Sequence, residues 1–457
     1  MQANQQQFDA AKALFLKGLS ELQNGNWGSA ERALRKSLEI LPSRISTLTN
    51  LISALIAQEK YAEAWRFVDK ASPLDPNNVL LHINIGILHH AEHNLESALR
   101  HLDQALRMDP DNSTAHLNKG KVLRGLNDID GALEHLHAAV RLAPDSAEAR
   151  YSLALCLLLQ GDYQSGWELY ESRWNRLTSE KRAFNKPLWL GKEKIRGKAI
   201  LLHSEQGLGD SVQFCRYVNP VAELGADVTL LVQSPLLPLL RHLPGVINLV
   251  DSVDLIPSYD FHCPLMSLPL ALEKSVDGIP NPSSYITVTD ETLEKWSEAL
   301  AGHKKPRVAI AWRGNPNMIN DNHRSAKLAD VAQFLSRDID WLCLHHDLTA
   351  DERLLLKSSQ HIKPLLDENT NLEDAAALCA LSDVVLTVDT SFGHIAGALG
   401  KPTFIMLGHH SDWRWQLERT DTPWYSNTVL YRQDRSEGLA SVASRASADI
   451  EKTLLGH

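Results

Sequence analysis

Small and apolar residues recur along the first third of the chain with a fixed period. Ala30, Ala64, Ala98 and Ala132 stand 34 residues apart, and so do Pro42, Pro76, Pro110 and Pro144. Trp27, Tyr61, Leu95, Ile129 and Tyr163 each close a short polar turn, such as Asn24-Gly-Asn-Trp27 or Gln160-Gly-Asp-Tyr163. The pattern predicts helical hairpins. The alanine lets the second helix cross the first closely, and the turn's last residue staples the two together. The proline ends the second helix because it cannot supply the next intrahelical N–H. Four full hairpins and a fifth, diverging one ending near Trp174 are expected.

A 34-residue period of this kind resembles the tetratricopeptide repeat, whose stacked units form a superhelix with a concave face. Asn50, Asn84 and Asn118 fall on the same period, within the predicted first helix of repeats two to four. Asparagine is a mediocre helix former, so its recurrence there needs a cause. On one reading the amides line the groove and bond the backbone of an extended peptide, as in the asparagine ladder of the protein O-GlcNAc transferases, which this row resembles. On the other they bond neighbouring helices and hold the repeats together.

Beyond a polar stretch, Leu177–Lys198, the pattern changes to short apolar runs alternating with helical segments, as in parallel α/β sheets. The first set of strands is Ala199–Ser204, Val228–Gln233, Val246–Val250 and Tyr259–Cys263. After a Pro/Ser-rich passage, Gly278–Ser284, a second set follows at Arg307–Trp312, Trp341–His345, Ile362–Leu366, Val384–Val388 and Thr403–Leu407. Two open sheets of this type face each other across a cleft, and ligands bind beyond the carboxyl ends of their strands.

Two motifs sit at such ends. In Leu202-His-Ser-Glu-Gln-Gly-Leu-Gly-Asp-Ser211 a strand runs through a glycine-rich loop into a helix, delivering Asp210 to that helix's first turn. The loop lacks the third glycine of a dinucleotide fingerprint, since Val212 stands there. Asp210 reads either as a proton acceptor at the cleft or as a helix cap. In Val384–Pro402 a buried strand ends in Asp389, and a helix opens after a turn of small hydroxyl residues. The amides of Thr390 to Gly393, with the positive end of the helix dipole behind them, suit a diphosphate. His394, one turn in, is placed to add a hydrogen bond or a charge. Trp312-Arg313-Gly314 directly follows a strand and is expected to line the cleft; Trp413 and Trp415 with Arg414 suit either stacking on a base or packing.

The 457 residues are 44% hydrophobic and 22% charged, an ordinary globular composition, long enough for about three domains. A formal charge of −10 excludes a basic nucleic-acid footprint. Five scattered cysteines, Cys156, Cys215, Cys263, Cys343 and Cys379, form no C-x-x-C pair and suit a reducing compartment. The amino-terminal residues lack a charged-then-apolar signal, and no apolar run reaches the roughly 20 residues of a membrane span. A cytoplasmic location is expected. Metal sites find no support: Asp128-Ile-Asp130 and Asp338-Ile-Asp340 read as solvated turns, and the pairs His89-His90, His345-His346 and His409-His410 lack further ligands at useful spacing.

Residues from about 185 to 435 resemble bacterial glycosyltransferases of the GT-B architecture, in the ADP-heptose:lipopolysaccharide heptosyltransferase-like group and its tetratricopeptide-repeat versions. The stretches that carry the likeness are Gln206–Ser211, Ile310–Pro316, Asp321–Ser325, Val388–His394 and Asp412-Trp-Arg-Trp415. The resemblance implies an all-α repeat superhelix followed by an α/β GT-B fold of two Rossmann-like domains. The expected boundaries are 1–176 for the repeats, 177–284 for the acceptor-side domain, 285–435 for the donor-side domain, and 436–457 for a helix returning across the seam. It implies a nucleotide-sugar substrate, no separate cofactor, and a protein acceptor recruited by the repeats through Asn50, Asn84 and Asn118. Asp210 matches the family's proposed general base. Asp389, Thr390, Ser391, Gly393 and His394 match its donor loop, and Arg324 falls near its phosphate-binding lysine, with Arg313 as a further donor contact. Gly408-His-His-Ser411 replaces the family's usual context before the Asp412–Trp415 stretch. The implied activity is metal-independent, inverting sugar transfer to a protein such as flagellin or an adhesin. A cell-envelope glycan transferase, or a repeat scaffold with a degenerate transferase domain, are the alternatives.

Overall fold

A computed structural model describes residues 2–176, 184–273, 278–302, 304–315, 321, 324–435 and 437–456. The chain divides into two compact units, Met1–Leu157 with Glu168–Lys181, and Leu158–Trp167 with Arg182–His457.

The helical hairpins are α1 (Gln2–Gln23) with α2 (Trp27–Ile40), α3 (Ile45–Ile56) with α4 (Tyr61–Ala71), and α5 (Val79–Ala91) with α6 (Leu95–Met108). They continue as α7 (Ser113–Gly125) with α8 (Ile129–Leu142), and α9 (Ala147–Gln160) with α10 (Tyr163–Tyr170). Ala30, Ala64, Ala98 and Ala132 are fully buried at the helix crossings. Within the hairpins a glycine on the first helix receives a leucine from the second. A Cβ on Gly18, Gly86 or Gly120 would stand 2.6–2.7 Å from Cγ of Leu34, Leu102 or Leu136. The second hairpin fills the same site with Ile52 and Val68, both buried, moving volume from one partner to the other. Each turn carries a residue in the left-handed region, at Gly25, Glu59, His93, Asn127 and Gly161. Pro42, Pro110 and Pro144 stand just past α2, α6 and α8. After α4 the stop falls earlier than expected: the helix ends at Ala71, and Pro73 precedes Pro76.

The domain boundary expected at 176/177 differs from the division observed. The tip of the fifth hairpin, Leu158–Trp167, belongs to the second unit. There Tyr163 packs at 5.8 Å between ring centroids from Trp424, and Trp167 at 5.2 Å from Trp413 and 6.0 Å from Phe214. Residues 177–183, the start of the expected polar linker, lie outside those described.

The second unit holds two parallel sheets. The first set of elements is β1 (Ala199–His203), α11 (Leu208–Phe214), α12 (Val218–Glu223), β2 (Asp227–Leu231), α13 (Leu237–Leu240), β3 (Val246–Val250), β4 (Phe261–Pro264) and α14 (Leu268–Ala271). Its sheet has the order β3-β2-β1-β4. After α15 (Asp290–Ala299) come β5 (Arg307–Ala311), α16 (Leu328–Ala332), β6 (Asp340–Cys343), α17 (Ala350–Ser358), β7 (Ile362–Lys363) and α18 (Leu372–Ala380). They are followed by β8 (Val384–Val388), α19 (Ser391–Ala398), β9 (Thr403–Leu407), β10 (Thr428–Arg432) and α20 (Leu439–Leu455). This sheet has the order β10-β9-β8-β5-β6-β7. Both central strands, β1 and β8, are apolar throughout or nearly so, as a strand covered on both faces must be.

Strand β10 was not expected from the sequence. It is an edge strand with Val429 exposed, so it lacks the unbroken apolar run that marks the central strands. The terminal helix also departs from expectation, in that its stripe Val442, Ala443, Ala446 and Ile450 enters the core of the second sheet with Val308, Ile310 and Met406. Its apolar face is spent there, on its own half. Ser436, where that tail was expected to begin, lies outside the described residues.

Candidate functional site

The two glycine-bearing turns meet. Gly207 caps α11, and Asp210, three residues on, accepts the Gly207 N–H at 2.8 Å, so the aspartate is a capping residue. Its other oxygen is ion-paired with Arg414. Gly209, between them, lies flat against α19. A Cβ there would stand 2.8 Å from Cδ2 of His394 and 3.3 Å from the Ser391 Cα. Asp210 from the first sheet's half and His394 from the second's therefore line one junction.

Arg414 is buried and ties the junction together. Its Nε donates to Gln213 Oε1 at 2.6 Å and its Nη1 to Asp412 Oδ1 at 2.8 Å, while the guanidinium lies 4.3 Å from the Trp413 ring centroid. The Asp412–Trp415 stretch was legible as a motif; that its arginine would reach Asp210 was not, because 204 residues separate them.

The 389–394 turn is arranged as follows. The Thr390 hydroxyl caps α19 by accepting the Phe392 N–H at 3.3 Å, and the Gly393 N–H donates to the Thr390 carbonyl at 3.1 Å. These two amides turn inward, so the expected outward row of four shrinks. Among the described residues the Thr390 and Ser391 amides have no protein acceptor. Gly393 permits close packing on the sheet, a Cβ there lying 3.3 Å from Ile405. Desolvation, and then the neighbouring Asp412 carboxylate, raise the Asp389 carboxyl above the ordinary carboxylate range, against the Trp415 indole, Arg324 and Arg414. His394 is buried, stacked 5.4 Å from Trp415, and its Nδ1 lies 2.9 Å from the Tyr425 hydroxyl. Burial, with Arg414 and Arg216 nearby, holds it well below the usual histidine range. That direction favours the hydrogen bond over the charge, the two alternatives expected at this position.

Arg324 joins this group, donating from Nη1 to the Asp389 carbonyl at 3.1 Å and from Nε to Asp321 at 2.9 Å. Gly314 makes the approach possible: a Cβ there would stand 2.5 Å from Asp321 Oδ1 and 2.7 Å from Arg324 Nη2. Pro316, Asn322 and His323, also within the motif stretches, lie outside the described residues. Arg313 is placed elsewhere. It bonds Glu352 at 3.0 Å and Asp347 at 3.1 Å, and with Trp312 Nε1 it holds the Glu352 carboxyl down at about 2, against desolvation. Its hydrogen bonds to Asp347 and Glu352 fasten the start of α17.

A cavity of about 480 Å³ opens at the carboxyl edge of the second sheet, lined by Ser325, Lys327, His409, His410, Gln433 and Arg435 among others. The terminal helix supplies Gly438 and Leu439 to its wall. Among the described residues no group of three or more histidine, cysteine or acidic side chains is disposed to hold a metal. Asp128 caps α8 through the Gly131 N–H, and Asp340 opens β6 at 3.8 Å from Lys363. No described helix is long and apolar enough to cross a membrane.

The three asparagines part company. Asn84 is buried; its amide donates to the Thr49 carbonyl at 2.9 Å and its oxygen accepts from Ser53 at 3.0 Å, both on the preceding repeat. It holds repeats together, which corrects the groove reading for this residue. Asn50 and Asn118 donate to carbonyls of their own helices, Ser46 at 2.7 Å and Thr114 at 2.8 Å.

Residues 83–133 and 117–172 match the tetratricopeptide repeat family, and residues 325–445 match glycosyltransferase family 9 (heptosyltransferase). Protein FlbA of Caulobacter vibrioides is 25% identical over 310 residues, covering 62% of this chain and 51% of that protein. The chain thus spans about half the length of this curated relative. A family 9 glycosyl transferase from Veillonella parvula aligns over 57% of this chain and 98% of its own, at 10% identity and a TM-score of 0.44. A tetratricopeptide-repeat protein from Thermus thermophilus aligns over 36% of this chain and 91% of its own, at 20% identity and a TM-score of 0.34. One chain thus carries a tetratricopeptide repeat match ahead of a glycosyltransferase family 9 match.

Proposed function

We propose that the protein transfers a sugar, without a metal and with inversion, from a nucleotide-sugar to a protein acceptor recruited by its repeats. The observation that carries this reading is the junction of α11 and α19, where Gly209, next to Asp210, lies against Ser391 and His394. Asp210 takes the proton of the acceptor hydroxyl, a role that contributes about 10²- to 10⁴-fold. Arg324, the amides of Thr390 and Ser391 and the neutral His394 receive the charge that develops on the leaving phosphate. Direct displacement by the acceptor oxygen inverts the anomeric carbon. The basic cavity beside Ser325 extends the donor side and suits the anionic part of a nucleotide-sugar. Asn50 and Asn118, partly exposed, are the two ladder positions able to meet an acceptor chain.

Thermal-shift screening against ADP-, UDP-, GDP- and CMP-sugars identifies the donor, because a ligand that binds the folded state raises the melting temperature with the logarithm of its excess. Transfer of radiolabelled sugar from that donor is then followed into protein and glycolipid. Label in protein, lost in Asp210→Ala, supports the proposal. Label confined to glycolipid replaces the acceptor with a cell-envelope glycan. Absence of any nucleotide-sugar binding leaves a scaffold.

A further inference from the structure

Behind His394 lies a group of residues that the sequence does not mark. Arg216 is buried, and among the described residues it meets no carboxylate. Its Nε donates to the Gln213 carbonyl at 2.8 Å, and its Nη1 to the carbonyls of Pro280 at 3.2 Å and Trp424 at 2.5 Å. Its Nη2 donates to the Tyr285 hydroxyl at 2.9 Å. The guanidinium also faces the rings of Tyr425 at 4.6 Å and Tyr285 at 4.9 Å. A buried cation needs compensating negative ends of dipoles, and these carbonyls, hydroxyl oxygens and ring faces supply them.

That charge gives the hydroxyls a direction. A tyrosine hydroxyl has one proton to give. The Tyr285 oxygen accepts from Arg216, and the same guanidinium, 4.6 Å from the Tyr425 ring centroid, draws the lone pairs of the Tyr425 oxygen towards itself. The Tyr425 proton then points away from the cation, to His394 Nδ1, 2.9 Å away. The ring's remaining nitrogen then carries the hydrogen. Its Nε2–Cδ2 edge faces the start of α11, where a Cβ on Gly209 would stand 3.6 Å from Nε2.

We infer that Arg216, Tyr285 and Tyr425 are positioning residues that fix His394 as its Nε2–H tautomer, so that the imidazole offers a hydrogen-bond donor, and not a base, at the Asp210 junction. The inference rests on the proposed transfer reaction for its purpose, though not for its geometry. It leaves proton acceptance to Asp210 and makes His394 a donor to the departing phosphate oxygen.

The test is nitrogen-15 NMR of the full chain labelled at histidine, with His394 assigned by the signals missing in His394→Gln. The wild type is expected to show a protonated Nε2 and an unprotonated Nδ1 across neutral pH. In Tyr425→Phe the bond is lost and the two tautomers mix; Tyr285→Phe, one link further back, gives a weaker shift the same way if the first variant is poorly folded. The nucleotide-sugar kcat in Tyr425→Phe should fall about 10- to 100-fold with KM little changed, the range seen when a partner orienting a histidine is removed. A wild-type Nδ1–H tautomer, or an unchanged Nε2–H in both variants, overturns the inference. A tautomer shift with undiminished kcat upholds it and removes His394 from the proposed transfer step instead.

Discussion

Replacing Gly209 by alanine tests the junction on which the site depends. The new methyl would stand 2.8 Å from His394 Cδ2 and 3.3 Å from the Ser391 Cα. Ordinary carbon contacts begin near 3.5 Å, so the ring or helix α11 must yield by about 0.7 Å or more. The ring cannot absorb this alone, because it is stacked on Trp415 and the second contact is backbone. Overpacking of this kind costs about 1–3 kcal/mol. For a unit of this size that lowers the melting temperature by roughly 2–10 °C. A displacement of nearly an ångström between Asp210 and the phosphate turn is expected to slow transfer by about 100-fold. Differential scanning fluorimetry reads the first quantity, and nucleotide release from the donor reads the second. If the site were open, alanine in a helix's first turn would instead stabilise by about 0.5–1 kcal/mol relative to glycine. A variant as stable as the parent with unimpaired turnover refutes the argument.

Three further outcomes follow from the geometry. Asn84→Ala removes two hydrogen bonds to the preceding repeat, while the Ser53 hydroxyl keeps its bond to the Thr49 carbonyl at 3.1 Å, and should cost about 1–3 kcal/mol in urea unfolding, whereas Asn50→Ala and Asn118→Ala should stay within about 0.5 kcal/mol. A neutral Asn84→Ala would contradict the bonding described. Arg313→Ala should lower stability by about 1–3 kcal/mol through Glu352 while leaving the nucleotide-sugar KM unchanged; a raised KM at unchanged melting temperature would return Arg313 to the donor. In the repeats, His82 and His101 meet through Nδ1 at 3.0 Å, and His116 and His135 at 2.8 Å. Desolvation, with His82, His89 and Arg100 nearby, lowers His101 from 6.5 to about 4, and His135 is lowered too, by desolvation with Lys119 and His116 outweighing Glu134 and Asp103. The unfolded chain takes up protons near pH 6.5 while the folded pairs resist until lower pH. For His101 stability is therefore full above 6.5 and is lost as pH falls toward 4, by about 1–2 kcal/mol after allowance for solvent, and His135 acts in the same direction. His101→Phe with His135→Phe should flatten that slope in thermal melts; an unchanged slope would show that the pairs do not govern it.

The repeats were legible because their period is covalent: one alanine, one turn and one stop recur within each module, and local packing enforces each. The strands β8 and β9 were legible to the residue because buried strands read as apolar runs between turn residues, and β3, an edge strand with Ile247 exposed, was legible because four of its five residues are apolar all the same. Edge strand β10 was not, since Thr428 and Arg432 at its ends leave only Val429, Leu430 and Tyr431 as an apolar run. Asp210 and His394 were readable from their loops, yet the approach of Gly209, beside Asp210, to His394 was not, because a contact so distant along the chain leaves no local mark. Arg313 misled for a related reason. A cation after a strand looks like an anion's partner until Glu352, on another helix, is seen to hold it. Asn84 shows the same limit from the other side, as three identical residues on one period have two different sets of partners.

The glycine–leucine lock in the hairpins has an evolutionary corollary. Both halves of the lock lie inside a single 34-residue module, as do the isoleucine and valine that replace them at Ile52 and Val68. Duplication or excision of a whole module therefore carries matched halves with it and never strands one without its mate. Array length can change in one genetic step without repair of the interior, whereas a crossover between the two helices of a hairpin would set a glycine against a valine, or an isoleucine against a leucine.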